Sequence, residues 1–417
     1  MAPLSGHLWD AISSSSSATD FRSLFIITTV AVIAPLASAA TRKRIPDVVW
    51  LLVLGAVIGP SCLGLARVTE GVDLFRQVGM GMLFLTAGTE IDVAQVRARP
   101  GRLALGTWAI GFALALGIAA ALTGWETPSA AIALAIALTS TALGTLLPIL
   151  MDAGLIGTPI GKAVLVHGAV GELAPILAMT LLLGSRSLDA AAAVLLVFVV
   201  ATVVAVAIPT RFVLRHPGVG RVILRGAQTS SKTLMRVVML ILTGLMALSA
   251  ILELDMVLGA FAAGVIVKTL APVNFSTIEA ELRTLGFSFL ISLFFVTSGM
   301  NISLDAVIAH PGVLVFFVAA ILVVRGIPIV LAERLLGTME KQGWRTSARL
   351  GLYGAMGLPI IVAVTEVAVA GGIMPAETAS LLVAAGGVSV LLFPLLASLE
   401  KRVPTPRMIA RAPGPAR

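Results

Sequence analysis

The stretch IALAIALTSTALGTLLPIL, residues 132–150, decides the fold of this chain. It is almost wholly apolar and has about the length that crosses a bilayer as a helix, yet Thr139–Thr141, Gly144 and Pro148 interrupt it near its middle. Glycine weakens a helix and proline removes one of its hydrogen bonds. Irregular backbone at membrane depth is tolerated only where it is buried in protein or lines a water-filled cavity. The stretch therefore predicts a broken helix inside a bundle of membrane helices.

A second stretch of the same kind, residues 346–369, carries Gly351, Gly354, Gly357 and Pro359. Simple kinking, or packing of small residues against a neighbouring helix, is an alternative interpretation of either stretch alone. Because the two stretches occupy corresponding positions in two similar halves of the chain, as described below, we expect a true interruption in both.

The composition indicates a membrane protein and excludes several other classes. Of the 417 residues, 58% are hydrophobic and only 12% are charged, which is about half the charged fraction of a soluble globule. The net charge of +8 comes from short stretches between apolar runs, without interleaved aromatic residues, so we expect no nucleic-acid partner. The single Cys62 excludes a disulfide framework and a cysteine-ligated metal cluster. No nucleophile–base pair or HExxH motif is present, so we expect neither an enzyme nor a cofactor site.

Thirteen continuous apolar runs are candidates for membrane helices, and their continuity argues against an alternating β-barrel pattern. With the N-terminus outside, 24 of the 29 Lys and Arg residues fall in inside loops or in the C-terminal tail, as the positive-inside rule requires. The predicted spans are 23–40, 47–65, 73–91, 103–123, 128–151, 159–184, 188–210, 233–251, 255–270, 284–302, 311–333, 346–369 and 376–399.

The first span raises the question of a cleaved signal peptide, since residues 36–40, LASAA, resemble a signal-peptidase site. A cleaved signal has its positive charge in front of the apolar run, whereas Arg42, Lys43 and Arg44 follow it. We therefore predict a retained helix in the inner cell membrane, with a polar segment, 1–22, outside. A short basic tail, 401–417, is predicted to be cytoplasmic.

The two halves of the chain resemble each other. Spans 2, 3 and 5 match spans 9, 10 and 12, always seven apart, and because seven is odd the two repeats face opposite ways across the bilayer. Inverted repeats are typical of secondary transporters, whose site lies near the midplane where the repeats meet. The matched segments are 53–56 with 257–260 (VLGA in both), 83–91 with 294–302 (LFLTAGTEI and FFVTSGMNI), and 147–149 with 358–360 (LPI in both).

Two charged residues fall near the middle of predicted spans, Glu172 in span 6 and Arg325 in span 11. A charge there costs roughly 2.5–3.5 kcal/mol on insertion scales and is a functional hypothesis by default; the alternative is a mutual salt bridge that only locks the helices. His167, five residues before Glu172, is either a proton relay or a packed core residue. Glu366, near the outer end of span 12, is expected at an entrance or interface rather than as a ligand.

With these features in view, the sequence resembles the monovalent cation:proton antiporter family, which has the sodium/proton exchanger fold. The resemblance covers nearly the whole chain, from span 1 to span 13. The motifs that carry it are FLTAGTEID (84–92), STALGTLLPIL (140–150) with the following DAGLIGTPIGKA, LGAFAAGVIV (258–267) and LFFVTSGMNISL (293–304).

The resemblance implies an all-α membrane domain covering residues 23–400, with thirteen transmembrane helices. Two inverted six-helix repeats, spans 1–6 and 8–13, are joined by span 7. Spans 1, 2, 8 and 9 would form the scaffold of a homodimer. Spans 3–6 and 10–13 would form a core that moves in an elevator mechanism, with the broken spans 5 and 12 crossing inside it.

The resemblance also implies the roles of individual residues. Glu172 takes the place of the cation-binding carboxylate on the sixth helix, and Arg325 takes the place of the basic residue on the eleventh helix that pairs with it. The unwound part of the fifth helix supplies hydroxyl and backbone oxygens, here Thr139, Ser140 and Thr141.

The chain departs from the family pattern beside the carboxylate. Family members usually carry Asp-Asp, Asn-Asp or Gln-Asp where this chain has Gly171-Glu172, and some carry a Glu where this chain has His167. The first position of the motif has therefore lost its side chain, which makes Gly171 an accessory position, and the second position is a methylene longer.

These expectations combine into one predicted function, the antiport of Na⁺ or K⁺ against protons. Glu172 would bind the proton and the cation in turn while Arg325 keeps its charge, so that one cation is exchanged per proton without net charge movement. One alternative is a sodium-coupled organic-anion transporter on a related broken-helix fold; another is a channel or a non-transporting membrane protein. A large apolar cavity beside the crossing would favour the organic anion, and a narrow funnel ending at Glu172 would favour antiport.

Overall fold

The computed structural model describes residues 16–41, 45–91, 93–123, 127–184, 187–215, 233–270, 275–337 and 343–399. Within these ranges the secondary structure is helical, and no strand occurs. Most of the predicted polar segment 1–22 and all of the predicted tail 401–417 lie outside the described residues.

Within the described ranges, the helices follow one another with short connections. Nine helical segments of the described chain are long and apolar enough to cross a membrane, and three further apolar helices are shorter, so the chain is a multi-pass membrane protein; the count of thirteen spans stays a prediction. The elements are α1 (Ser16–Ala40), α2 (Asp47–Ile58), α3 (Glu70–Glu90), α4 (Val93–Arg97), α5 (Arg99–Thr123), α6 (Pro128–Leu138), α7 (Leu143–Asp152), α8 (Pro159–Leu182), α9 (Leu188–Arg215), α10 (Thr233–Ile251), α11 (Met256–Leu270), α12 (Phe275–Leu285), α13 (Ile291–Met300), α14 (Leu304–Ala309), α15 (Pro311–Ile321), α16 (Ile327–Leu335), α17 (Trp344–Gly354), α18 (Leu358–Ala370) and α19 (Ala376–Leu399), with π-helical turns at Gly286–Leu290 and Leu322–Gly326.

Several predicted helix ends are wrong, and two of them have a clear physical reason. Span 2 was expected to reach residue 65, but α2 ends at Ile58 because Pro60 disfavours helical backbone at the preceding Gly59, whose ψ of 174° is extended. Span 10 was expected to begin at residue 284, but its helix begins at Phe275, because the polar segment α12 continues the apolar helix beyond the predicted membrane boundary.

Both predicted interruptions are present. Unwound segments lie at 139–142, between α6 and α7, and at 355–357, between α17 and α18. Neither break lies at a proline. The backbone of Pro148 continues within α7, and Pro359 occupies the first turn of α18, where the missing N–H has no helical partner to lose.

Glycines allow two pairs of helices to approach closely. A Cβ at Gly88 of α3 would collide with the main chain of α11, and a Cβ at Gly264 of α11 would collide with the carbonyl of Leu85 on α3. A Cβ at Gly299 of α13 would likewise collide with the main chain of Leu52 on α2. The predicted repeat pairs α3 with α13 and α2 with α11, so the same contact occurs twice; the repeat itself stays a prediction.

Substitution of Gly264 by Ala is expected to destabilise the protein by about 1–3 kcal/mol, the usual cost of overpacking. The added methyl group would meet Gly88 Cα and the Thr89 amide nitrogen, both at 2.9 Å, so α3 and α11 would have to separate. The measurement is the unfolding temperature in detergent. Gly244→Ala on α10 is the matched control, because its Cβ meets no atom within 4 Å; equal unfolding temperatures for the two variants would contradict the close-approach argument.

Candidate functional site

The two unwound segments cross and bind each other through their main chains. The Ala142 amide donates to the Met356 carbonyl at 2.9 Å, and the Thr141 amide donates to the Gly171 carbonyl of α8 at 2.8 Å. The ends of a helix leave main-chain groups without partners in that helix, and such groups need partners when they are buried. The crossing supplies some of these partners, which explains how broken helices are stable at this depth.

The three predicted hydroxyl residues, Thr139, Ser140 and Thr141, lie at this crossing and are each at most 1% exposed. None of the three side chains is hydrogen-bonded to Glu172 in the described chain. The hydroxyls of Ser140 and Thr141 bind the other broken helix, that of Thr139 binds its own helix α6, and lone pairs of these oxygens remain available as acceptors. The donations are Thr139 to the Ala135 carbonyl at 2.7 Å, Ser140 to the Ala137 carbonyl at 2.8 Å and the Gly357 carbonyl at 3.2 Å, and Thr141 to the Gly354 carbonyl at 2.5 Å.

Glu172 is buried on α8 beside the first turn of α7. It is 2% exposed, and its Oε2 accepts a hydrogen bond from the Leu143 amide at 3.4 Å. Leu143 is the first residue of α7, and a helix N-terminus carries unpaired N–H groups and positive partial charge. The break in the helix thus places an amide without a helical partner against the carboxylate, an arrangement that stabilises a negative charge.

Arg325 lies in the π-helical turn Leu322–Gly326 and is 1% exposed. Its Nε donates to Thr141 Oγ1 at 2.9 Å, and its Nη2 donates to the His167 carbonyl at 2.6 Å. Through Thr141 the guanidinium is linked to the carbonyl of Gly354 at the C-terminal end of α17, the negative end of a helix dipole. The expected pairing with Glu172 is therefore amended, because among the described residues no ion pair joins the two side chains, and the guanidinium holds the crossing instead.

The absence of a side chain at Gly171 leaves room for the guanidinium of Arg325. A Cβ at this position would collide with Arg325 Nη2 and would lie 2.7 Å from Thr141 Oγ1. Arg325 therefore occupies the space that a side chain at the first position of the motif would need. The loss of that side chain, which the sequence showed as a departure, is coupled to the placement of the arginine.

His167 is paired with a residue that the sequence analysis missed. Its Nε2 lies 3.0 Å from Glu333 Oε1 on α16, and the two side chains are 0% and 3% exposed. Both interpretations of His167, a proton relay and a packed core residue, are compatible with this hydrogen bond. The available signal was an acidic residue at the last position of predicted span 11, which we treated as the membrane boundary.

A cavity of about 230 Å³ leads towards Glu172 from the face that the charge pattern assigns to the cytoplasm. It ends at Leu143, whose amide binds the carboxylate, and at Ala169, one helical turn before Glu172. Thr89, Glu90, Gln95, Lys268 and Glu279 provide its polar lining. Glu90, the last residue of α3, thus lines the approach.

The opposite side of the crossing holds a second polar cluster. Glu366 on α18 forms an ion pair with Arg76 of α3 and accepts a hydrogen bond from Ser298 Oγ at 2.8 Å. Arg76 is also paired with Asp73 at 2.7 Å. The four residues line a cavity of about 410 Å³. Among the described residues Glu366 makes no hydrogen bond with Glu172, which is consistent with the predicted position at an entrance or interface.

Comparison with known proteins gives a family match over most of the chain. The model of a family described as “Sodium/hydrogen exchanger, transmembrane” matches residues 27–398. The Na(+)/H(+) antiporter NhaS5 of Synechocystis sp. is 27% identical over 362 residues, covering 84% of this chain and 49% of the relative. The glutathione-regulated potassium-efflux system protein KefC of Cronobacter sakazakii is 26% identical over 401 residues, covering 93% of this chain and 61% of the relative.

The fold has a solved counterpart. The sodium proton antiporter MjNhaP1 from Methanocaldococcus jannaschii, solved at pH 8, superimposes with a TM-score of 0.60 at 17% identity, covering 89% of this chain and 95% of that one. The chain spans about half to three fifths of the length of the curated relatives it matches.

Proposed function

The chain belongs to the sodium/hydrogen exchanger family, a family of membrane transporters rather than enzymes, and from this premise we propose that it exchanges Na⁺ or K⁺ for protons across the membrane. The single observation that carries the proposal is the setting of Glu172. A buried carboxylate lies at the crossing of two broken helices, against the N-terminal amide of α7, and a cavity reaches Leu143 beside it. Such a site is suited to a small cation or a proton.

Exchange follows from competition for one carboxylate. A bound proton and a bound monovalent cation both neutralise Glu172, and the empty anion is costly to carry through a low-dielectric core. Only the two loaded forms would then cross, which couples the two fluxes. Oxygens of Ser140, Thr139 and Thr141, with water, would complete the cation shell, although Thr141 also accepts a hydrogen bond from Arg325.

The charges around the site support electroneutral exchange. Arg325 is bound to neutral groups and keeps its charge throughout, so the net charge of the core is the same with either ligand. We predict that the rate of exchange in proteoliposomes does not change when a potential of about 100 mV, worth about 2.3 kcal/mol per transferred charge, is imposed in either direction. A rate that rises with one polarity and falls with the other would refute the one-to-one stoichiometry.

The cation selectivity of the protein can be measured in the same proteoliposomes. The named relatives include both a sodium antiporter and a potassium-efflux protein, so dissipation of a pH gradient should be measured across the alkali cations. Saturable flux and counterflow would separate a carrier from a channel.

The sodium-coupled organic-anion alternative is less well supported. The cavity beside Glu172 is about 230 Å³, below the usual range for organic ligands, and its lining holds two carboxylates, Glu90 and Glu279, against one ammonium, that of Lys268. Arg325, which that alternative needs as an anion anchor, does not line this cavity; its Nε and Nη2 donate to Thr141 and the His167 carbonyl, and its Nη1 is buried without a partner among the described residues.

We also propose that the protein works as a homodimer in the inner cell membrane, with its N-terminus outside and its C-terminus cytoplasmic. Helices α1, α2, α10 and α11 would form the scaffold, and the helices around the crossing would move as the elevator. Apolar side chains exposed on α1, Phe21, Phe25 and Leu36, are compatible with a lipid or subunit contact.

A further inference from the structure

Close approaches between main chains divide the helices into two groups. In one group, a Cβ at Gly55 of α2 or at Gly88 of α3 would collide with the main chain of α13 or of α11. In the other, a Cβ at Gly111 of α5 or at Gly357 would collide with the main chain of the second π-helical turn or of the first unwound segment. No glycine of the described chain makes such an approach between the two groups.

With the helices that pack on them, these contacts define a scaffold group (α1–α3 and α10–α13) and a crossing group (α5–α8 and α15–α19). The scaffold group contains the four helices proposed above as the scaffold. It also contains α3 and α13, whose spans the family resemblance placed in the moving core. Movement of the crossing group against the scaffold group would therefore take place along α3 and α13.

The cavities of about 230 and 410 Å³ both lie on the boundary between the two groups. The inner cavity is lined by Glu90 of α3 and by Leu143, the first residue of α7. The outer cavity is lined by Arg76 of α3 and follows α18 as far as Val362, one helical turn short of the first residue of that helix. The inner cavity thus reaches the crossing and the outer cavity stops before it, so the structure faces inwards.

Glu366 joins the two groups within the outer cavity. It lies on α18, and both of its carboxylate oxygens bind the scaffold group. Oε2 forms the ion pair with Arg76 of α3, and Oε1 accepts from Ser298 Oγ of α13 at 2.8 Å. The paired side chains are 16% and 19% exposed, and a partly buried pair is screened less by salt than a surface pair. By contrast, the ion pair of Arg283 with Glu90 at the inner cavity joins two helices of the scaffold group.

We propose that the ion pair of Arg76 with Glu366 is a latch, which holds the inward-facing state and breaks when Glu172 turns to the outside. Access from outside requires the outer cavity to extend from Val362 to the crossing, so the crossing group has to move away from α3 there. The guanidinium keeps a partner when the latch opens, because it is also paired with Asp73 on α3 at 2.7 Å. This inference rests on the proposed exchange, which requires an outward-facing state.

The latch is tested by the alkylation rates of single cysteines in lipid nanodiscs, where a maleimide reaches both faces. Cys62→Ser removes the native thiol, and one cysteine is placed in each cavity, in Val362→Cys for the outer cavity and in Ala169→Cys for the inner one. Adding Arg76→Gln or Glu366→Gln should raise the rate at position 362 by about threefold or more, because a larger fraction of the molecules faces outwards. The rate at position 169 should not rise.

Asp73→Asn is the matched control. It removes a carboxylate from the same arginine, but Asp73 and Arg76 both lie on α3, so no contact between the groups is lost and both rates should stay within about twofold. An unchanged rate at position 362 in both latch variants, or an equal rise at both cysteines from general loosening, would overturn the proposal. The labelling needs no transport. A wild-type protein without cation-driven proton flux would therefore refute the proposed exchange, while the labelling would still decide the latch.

Discussion

Glu172→Gln is expected to abolish cation-driven proton exchange, lowering its rate by about 100-fold or more, equivalent to roughly 2.7 kcal/mol. The amide has almost the same size, and its oxygen can still accept from the Leu143 amide, so the fold should be retained. It cannot take up a proton or neutralise a cation, so the competition that couples the two fluxes is lost. The measurement is dissipation of an imposed pH gradient in proteoliposomes after addition of Na⁺ or K⁺.

Two matched variants make this result specific. Glu377→Gln removes a carboxylate from the exposed start of α19 and should leave exchange unchanged. Glu172→Asp keeps the carboxylate but withdraws it by one methylene from the Leu143 amide, so exchange should persist with a weaker apparent affinity for the cation. Wild-type flux in Glu172→Gln would remove Glu172 from the site.

The features set by local chemistry were predictable from the sequence. An apolar run interrupted by hydroxyl residues and glycine has few stable conformations at membrane depth, and the breaks at 139–142 and 355–357 were found in the predicted stretches. The burial of Glu172 and Arg325 followed from their distance from the ends of their spans. In each case a short segment and the properties of the bilayer determine the local structure, the break in one case and the burial of the side chain in the other.

The partners of these residues were not predictable in the same way. Arg325 lies in a π-helical turn, whose extra residue rotates the side chain away from the direction that a 3.6-residue period gives. The partner of His167 is 166 residues away in the sequence, and nothing in the pattern of one helix indicates the rotation of another. The contact of Arg76 with Glu366 was missed for the same reason, whereas its pairing with Asp73, three residues earlier on the same helix, follows from helical spacing.

The second large effect is expected from Gly171→Ala. Its Cβ would collide with the guanidinium of Arg325 and crowd Thr141, so the arginine would lose its hydrogen bonds while it stays buried. A buried donor that loses its hydrogen-bond partners costs about 1–3 kcal/mol, and more when it is charged, so we expect a lower unfolding temperature and at least about a tenfold loss of exchange. Gly106→Ala on α5, where an added Cβ meets no atom within 4 Å, should change neither quantity.

A double-mutant cycle identifies the arginine as the cause. Arg325→Lys keeps the positive charge but removes the Nη2 group that occupies the space beside Gly171. The single variant should be impaired because it loses the donations to Thr141 and the His167 carbonyl, yet Gly171→Ala should cost less in its background than in the wild type. The expected coupling energy is about 1 kcal/mol or more, measured on unfolding and on exchange. Strict additivity would mean that the two positions do not share this space, and that the glycine beside the carboxylate serves another purpose than admitting the guanidinium.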